Sequence, residues 1–280
     1  MLFRKVITMK YTIDGRDILL CQPDFSLDET LDCGQAFRWE KQQTEGCVTY
    51  SGHYLNTPLT ISEEGEGVFR LHDTDEDAFL RVWKDYFDLD TDYGEIKKRI
   101  SADATMKSAC EYATGIRLLR QDSWEALCSF IISQNNNIPR IKGIISRLCE
   151  HFGGFPSYAE LAPLEPDDLS FLRAGFRAKY IIDAARKLSG GTISLERISA
   201  SPIDDARKEL MLISGVGPKV AECALLYGMH RTEAFPVDVW IKRVMERWYP
   251  DGLPQCCEGI EGIAQQYLFH YMRTFEAKQR

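Results

Sequence analysis

The sequence predicts an α+β protein: an N-terminal antiparallel β-sheet domain over residues 1–105, then a mostly α-helical domain over residues 106–280. Three observations carry this. Residues 1–72 hold short alternating runs separated by turn signals, the pattern of an antiparallel sheet. From residue 106 the apolar residues recur with helical spacing to the end of the chain. Within that second region, Gly215-Val216-Gly217-Pro218-Lys219 interrupts two amphipathic segments with a tight turn.

In the sheet region, Asp14-Gly15 between Tyr11-Thr12-Ile13 and Ile18-Leu19-Leu20 signals a two-residue hairpin. Phe37-Arg38-Trp39 and Val48-Thr49-Tyr50 flank a polar loop from Gln42 to Gly46. Leu59-Thr60-Ile61 and Val68-Phe69-Arg70-Leu71 flank the acidic loop Ser62 to Gly67. Residues 76–85 read as a helix and residues 86–93 as a linker. A short basic helix follows through Ile96 and Ile100.

In the helical region, Asp122 or Ser123 caps a helix through Trp124, Leu127, Phe130 and Ile131. It ends in Ser133-Gln134-Asn135-Asn136-Asn137, which alone reads as turn chemistry. Ile138-Pro139-Arg140 opens the next helix, through Ile144, Leu148 and Phe152. After a short helix over residues 166–173, Gly175-Phe176-Arg177 leads into a basic amphipathic helix through Ile181, Ile182 and Ala185. Gly190-Gly191 and the stretch from Ser199 to Pro202 mark turns. The last helix spans about residues 258–277 and carries Gln265 and Phe269 on one face, four residues apart.

The turn at residues 215–219 is where chemistry is most legible. Gly215 and Gly217 permit dihedrals and a close backbone approach that a side chain would block. Pro218 suits the first helical position. The helix it opens runs to Tyr227, with Gly228 expected as the residue that ends it. A hairpin leading into a helix N-terminus can hold a phosphate without a basic side chain. Lys219 falls in the first turn, where the helix dipole and burial both disfavour an ammonium. An amine so placed is a nucleophile near neutral pH. Cys223 lies one turn later on the same face. Asp238, stiffened by Pro236, is the expected N-cap of a helix from Val239 to Trp248.

Composition sets bounds. Hydrophobic residues make up 44% and charged residues 27%, ordinary for a globular chain. No long apolar run predicts a membrane span, and the first residues do not read as a secretion signal. The nine cysteines form no C-x-x-C, so neither zinc nor an iron–sulfur cluster is expected. Their odd number and scatter suggest free thiols in a reducing compartment. The net charge of −8 is uneven: residues 1–105 hold 12 of the 34 basic and 21 of the 42 acidic residues, a net of −9, leaving +1 for the rest. An uneven balance of this kind leaves room for a local basic track that a nucleic-acid partner would need.

Hairpin, lysine and Pro236-Val237-Asp238 at this spacing resemble the helix-hairpin-helix DNA glycosylase superfamily, in its lysine-bearing bifunctional branch. Cys33-Gly34-Gln35-Ala36-Phe37-Arg38-Trp39 resembles a segment of the 8-oxoguanine DNA glycosylases, and Gly262 to Phe269 resembles their closing helix. With the Asn loop and the Arg177 segment, the resemblance covers most of the chain. It implies a helix-hairpin-helix glycosylase domain and a DNA glycosylase/lyase. The enzyme would flip 8-oxoguanine, paired with cytosine, out of double-stranded DNA and excise it. It would then cut the strand by β-elimination through a lysine Schiff base.

By the same resemblance, Lys219 attacks the sugar and Asp238 stabilises developing positive charge. The Gly34 carbonyl accepts from N7–H of the lesion, Gln265 reads its Watson–Crick edge, Phe269 stacks on it and Cys223 walls it. Asn135, Arg140 and Arg177 read the orphaned cytosine, Phe176 wedges into the stack, and Gly215 and Gly217 grip phosphate. No cofactor and no metal is implied, though a cation on the hairpin carbonyls stays open. A monomer is expected, in the cytoplasm on the nucleoid if bacterial and in the nucleus if eukaryotic. Two departures stand out: some relatives have histidine where this chain has Trp240, and some have tyrosine where it has Phe176. Two other functions remain open on the residues alone: a non-enzymatic helix-hairpin-helix protein binding DNA structure, and a glycosylase for alkylated bases.

Overall fold

The structure is a computed structural model that describes residues 10–43 and 46–278. Residues 1–9, and Thr44 and Glu45 of the expected polar loop, lie outside the described residues. The chain forms two compact units, one of Met1–Arg120 with Val237–Arg280 and one of Gln121–Pro236.

The first unit begins with a six-stranded sheet: β1 (Lys10–Asp14), β2 (Asp17–Cys21), β3 (Trp39–Gln42), β4 (Val48–Tyr54), β5 (Thr57–Gly65) and β6 (Val68–His72). Their order is β1-β2-β6-β5-β4-β3, with every pair antiparallel. Gly15, at φ +65°, supplies the left-handed residue that the β1–β2 turn requires. Alternation places Ile18, Leu20, Tyr50, Leu59, Ile61, Phe69 and Leu71 on one buried face. Phe25, Phe79, Trp83 and Phe87 close over it. Trp39 joins this layer, and its indole Nε1 donates to the Tyr86 hydroxyl at 2.7 Å. That bond satisfies the one polar atom of a fully buried indole.

Helices α1 (Leu27–Leu31), α2 (Glu76–Ala78) and α3 (Lys84–Tyr86) belong to the same unit. A π-helical turn, Phe79–Trp83, joins α2 to α3, so the helix expected over residues 76–85 is present with a wider turn at its centre. Asp92 caps α4 (Tyr93–Ile100) through a bond from the Glu95 amide at 3.0 Å, and Ile96 and Ile100 point inward. Asp103 caps α5 (Ala104–Tyr112).

The second unit is helical. It contains α6 (Ser123–Ser133), α7 (Ile138–Phe152), α8 (Tyr158–Leu161), α9 (Arg177–Ser189), α10 (Leu195–Ala200), α11 (Ile203–Leu210) and α12 (Pro218–Cys223). Asp122 and Asn137 cap α6 and α7. The helix that α12 begins continues as a π turn, Ala224–Gly228. Gly228 does not end it in the left-handed conformation expected of a terminating glycine. A Cβ there would stand 2.9 Å from the Ala126 Cβ and 3.1 Å from the Ser123 Cα, so glycine serves close packing against α6. His230, at φ +51°, is the left-handed residue just beyond.

The chain then returns to the first unit with α13 (Val239–Trp248) and α14 (Glu261–Lys278). Helix α14 packs against α5 and α13. The Tyr267 hydroxyl donates to the Ile116 carbonyl at 3.1 Å, and the Tyr249 hydroxyl to Asp103 at 2.5 Å. These units differ from the sequence division at residue 105, which falls inside α5. Helical periodicity marks where helices lie and carries no signal that the last two pack back against the first third. Among the described residues no helix is long and apolar enough to cross a membrane.

Gly52 pairs with Trp39 across β3 and β4, and an alanine Cβ would lie 2.5 Å from the indole. Gly52→Ala is expected to lower stability by about 1–3 kcal/mol, as overpacking does. Denaturant unfolding monitored by tryptophan fluorescence checks this.

Candidate active site and nucleic-acid interface

The sequence-derived site residues divide between the units. Gly34, Asp238, Gln265 and Phe269 belong to the first. Lys219, Cys223, Asn135, Arg140, Phe176, Arg177, Gly215 and Gly217 belong to the second.

In the first unit, Gly34 adopts φ +86° between two buried residues. Its neighbour Gln35 is fully buried and anchors the segment. The Gln35 Nε2 donates to the Thr30 carbonyl at 2.9 Å and to the Arg117 carbonyl at 2.8 Å, and its Oε1 accepts from the Leu119 amide at 2.9 Å. Arg117, itself buried, donates to the carbonyls of Asp24 at 3.0 Å, Asp88 at 2.8 Å and Pro23 at 3.2 Å. Four separate stretches of backbone are thereby fixed around Gly34. The sequence reading missed both anchors. The only signal for them was polarity inside an otherwise apolar stretch.

Burial pushes the Cys33 thiol up to about 11, with the Arg273 guanidinium and hydrogen bonds from Gln35 opposing it. Arg273 lies on α14. Phe269, one turn earlier on α14, is half-buried with the Arg273 guanidinium 5.5 Å from its ring centre. Gln265 is buried one turn before that. Asp238 caps α13 as expected, its Oδ1 accepting from the amides of Trp240 and Ile241, both at 2.9 Å. Trp240 is half-buried under the Arg243 guanidinium, 5.1 Å from the ring centre.

In the second unit, Lys219 occupies the first turn of α12 and is half-buried. Its Nζ lies 5.5 Å from the centre of the Phe130 ring, which in turn stacks on Tyr227 at 4.9 Å and 17°. Aromatic surface thus shields one side of the lysine from water. Cys223 is buried one turn further on.

The two hairpin glycines have different reasons. Gly215 has φ +77°, and a Cβ there would lie 2.3 Å from the Tyr180 ring, so the fold itself requires glycine. Gly217 is extended at φ −98° and ψ −177°, and a Cβ would meet open space. Its missing side chain instead keeps the start of α12 uncovered.

The Asn loop belongs to the same unit. Asn135 takes φ +51°, which asparagine tolerates better than most residues, and is exposed. Arg140 is exposed in the first turn of α7. Arg177 differs from the picture of a free reading group: it is 4% exposed. Its Nε donates to the Gln134 carbonyl at 2.7 Å, its Nη1 to the Ala174 carbonyl at 3.1 Å and its Nη2 to the carbonyls of Gln134 and of Asn135, the last at 3.1 Å. Burial lowers its pKa, and the charge of Arg140 lowers it further. Phe176 is 48% exposed, and its ring centre lies 4.5 Å from the Arg177 guanidinium. An exposed aromatic on an arginine that clasps a left-handed asparagine suits an unstacked duplex.

Comparison with known proteins gives the family. Residues 128–252 match the HhH-GPD superfamily of base excision DNA repair proteins, and residues 18–127 match the N-terminal domain of 8-oxoguanine DNA glycosylase. The chain is 33% identical over 258 residues to the N-glycosylase/DNA lyase of Saccharomyces cerevisiae, an alignment covering 81% of this chain and 69% of that protein. It is 33% identical over 262 residues to a probable N-glycosylase/DNA lyase of Methanothermobacter thermautotrophicus, covering 81% and 83%. The 8-oxoguanine glycosylase/lyase of Clostridium acetobutylicum, solved with double-stranded DNA containing cytosine opposite 8-oxoguanine, superimposes with a TM-score of 0.86 at 35% identity. That match covers 99% of this chain and 100% of the other. The chain belongs to the 8-oxoguanine DNA glycosylase/lyase family of the helix-hairpin-helix superfamily, and it is an enzyme of the N-glycosylase/DNA lyase class.

The contrast between the glycines gives a test. Gly215→Ala is expected to lower the melting temperature by roughly 4 °C or more, because it strains backbone and displaces Tyr180. Gly217→Ala is expected to shift it by less than about 1 °C while weakening duplex binding about tenfold through obstruction of a phosphate approach. Thermal unfolding and fluorescence anisotropy on one DNA duplex separate the two effects.

Proposed function

We propose that the protein excises 8-oxoguanine paired with cytosine and then cleaves the same strand through a Schiff base on Lys219. The observation that carries this is a lysine half-buried against Phe130, in the first turn behind an exposed hairpin. A lysine that only held phosphate would need no such shielding. Family membership supports the glycosylase/lyase class over a non-catalytic DNA-structure binder, and a nucleophilic lysine is not needed for releasing alkylated bases.

The Lys219 amine adds to C1′ of the deoxyribose, forming a C–N bond as the glycosidic bond breaks and its electron pair leaves with the purine. Asp238 stabilises the positive charge that develops on the sugar. Transfer of a proton from nitrogen and opening of the ring at O4′ give the Schiff base. Loss of a C2′ proton then expels the 3′ phosphate, so the strand breaks on the 3′ side of the lesion.

The Gly34 carbonyl accepts from N7–H of 8-oxoguanine and faces a bare acceptor in guanine. Such a mispaired buried contact costs about 1–3 kcal/mol. Gln265 reads the Watson–Crick edge, while Phe269 and Cys223 contact the faces of the base. Asn135, Arg140 and Arg177 recognise the cytosine left behind, and Phe176 fills the gap in the stack. Arg177 contributes through what its carbonyl bonds leave available, since four of its five N–H groups are already directed at backbone carbonyls, three at Gln134 and Asn135 and one at Ala174.

Borohydride trapping on duplexes with 8-oxoguanine opposite each of the four bases tests the proposal. The wild-type protein is expected to form a covalent adduct most rapidly opposite cytosine. Lys219→Gln is expected to abolish base release and strand cutting by at least about a thousandfold while retaining lesion binding. Strand cutting by Lys219→Gln at the wild-type rate would refute the Schiff-base assignment.

A further inference from the structure

We infer that one face of helix α9 is a common brace for the Asn135 turn and the lysine hairpin, with Asp183 as the positioning residue at the hairpin end. This rests on the proposed function for what the two braced parts do.

Arg177, Tyr180, Asp183 and Lys187 recur at spacings of three, three and four, which puts them on one face of α9. At its N-terminal end, Arg177 clasps the carbonyls of Gln134 and Asn135, the residues that lead out of α6. One turn later, the Tyr180 ring fills the space a side chain at Gly215 would need. The next turn brings Asp183, whose Oδ2 accepts from the Ser214 amide at 2.7 Å and from the Lys187 Nζ at 2.7 Å. Lys187 donates also to the Leu212 carbonyl at 2.7 Å. A single ion pair therefore grips both a donor and an acceptor of the backbone just ahead of Gly215. The acceptor in the Ser214 bond is a carboxylate, which makes it stronger than a neutral bond.

The consequence is geometric. The loop assigned to the orphaned base and the hairpin that carries Lys219 are set by the same helix. A displacement of about 1 Å at the reacting groups is enough to cost a hundredfold in rate. Asp183 touches neither base nor sugar in this scheme. It acts through the hairpin.

The test uses the full-length protein with Asp183→Ala and Asp183→Asn. Two readouts are needed. Hydrogen exchange at the Val216 amide, which donates to the Ile213 carbonyl inside the hairpin, reports the brace directly and needs no activity. It is expected to rise about tenfold or more in Asp183→Ala and less in Asp183→Asn, which keeps an acceptor for Ser214. Single-turnover base release, corrected for active fraction, reports the link to function. Asp183→Ala is expected to slow release opposite cytosine about tenfold to a hundredfold and to narrow the preference for cytosine over adenine. Asp183→Asn should recover most of that rate.

Unchanged exchange at Val216 overturns the brace. So does a rate loss that is equal for both partner bases. If Asp183→Ala does not fold, Lys187→Met loosens the same clamp while leaving the Ser214 bond, and the same two outcomes decide. Failure of the wild-type protein to release 8-oxoguanine or to trap DNA would instead sink the proposed function, while the exchange measurement still decides whether Asp183 holds the hairpin.

Discussion

A backbone polar group buried away from water must find a partner, and the irregular segments of this chain find theirs in side chains. The Gly34 bend, the Asn135 turn and the approach to the Gly215 hairpin are held in that way. Gln35 and Arg117 bind seven backbone atoms' worth of loop between them only because each offers several donors or acceptors at fixed angles. Arg177 does the same for the end of α6, and Asp183 with Lys187 for the turn before the hairpin. Regular helices and strands satisfy their own backbone, but the Gly34 bend, the Asn135 turn and the Gly215 hairpin cannot. Rigidity at these places comes from buried amides, guanidiniums and one carboxylate.

Glu222 extends the same logic to the segment that leads toward Asp238. It lies on α12 between Lys219 and the π turn, and its Oε2 accepts from the Phe235 amide at 2.7 Å. It also pairs with Arg207 of α11, which pairs in turn with Asp204 at 2.7 Å. The carboxylate thus ties the lysine-bearing helix both to the helix before the hairpin and to the chain three residues ahead of Asp238. The π turn that follows lets Gly228 press against α6, and the Ser123 hydroxyl donates to the Gly228 carbonyl at 2.7 Å. The helix behind Lys219 is therefore anchored at both ends by contacts that have no part in the chemistry.

How much of this was legible in the sequence depends on the range of the interaction. Strands, helix caps and the hairpin were readable because alternation, N-cap residues and paired glycines act within a few residues. Asp122 and Asp238 cap where their position says they should. Gly228 was misread because a glycine near a helix end has two local explanations, and only the approach of α6 decides between them. Gln35 and Arg117 were invisible as anchors because their partners lie more than 80 residues away in several cases. For the same reason a single sequence does not show that the last two helices cluster with the first compact unit. Short motifs in the sequence mark the candidate site residues, whereas the residues that hold those motifs from a neighbouring helix, such as Asp183 and Tyr180, left no mark that a single sequence reveals.

Charge shows why a net value says little about a nucleic-acid partner. In the second unit, Arg186, Lys187, Arg197, Arg207 and Arg231 are each drawn into ion pairs with carboxylates of the same unit. Those pairs neutralise themselves and project little field. Arg140, Arg173 and Lys179 are exposed instead, close in the chain to the Asn135 turn and Phe176. A phosphate backbone responds to cations within about a Debye length, ~10 Å at moderate salt, and hardly at all to carboxylates screened beyond it. The acidic surplus of the first third can therefore coexist with a duplex-binding face. Exposed arginine and lysine near a left-handed asparagine are then free of the self-neutralising pairs and give the proposed duplex-facing surface its field.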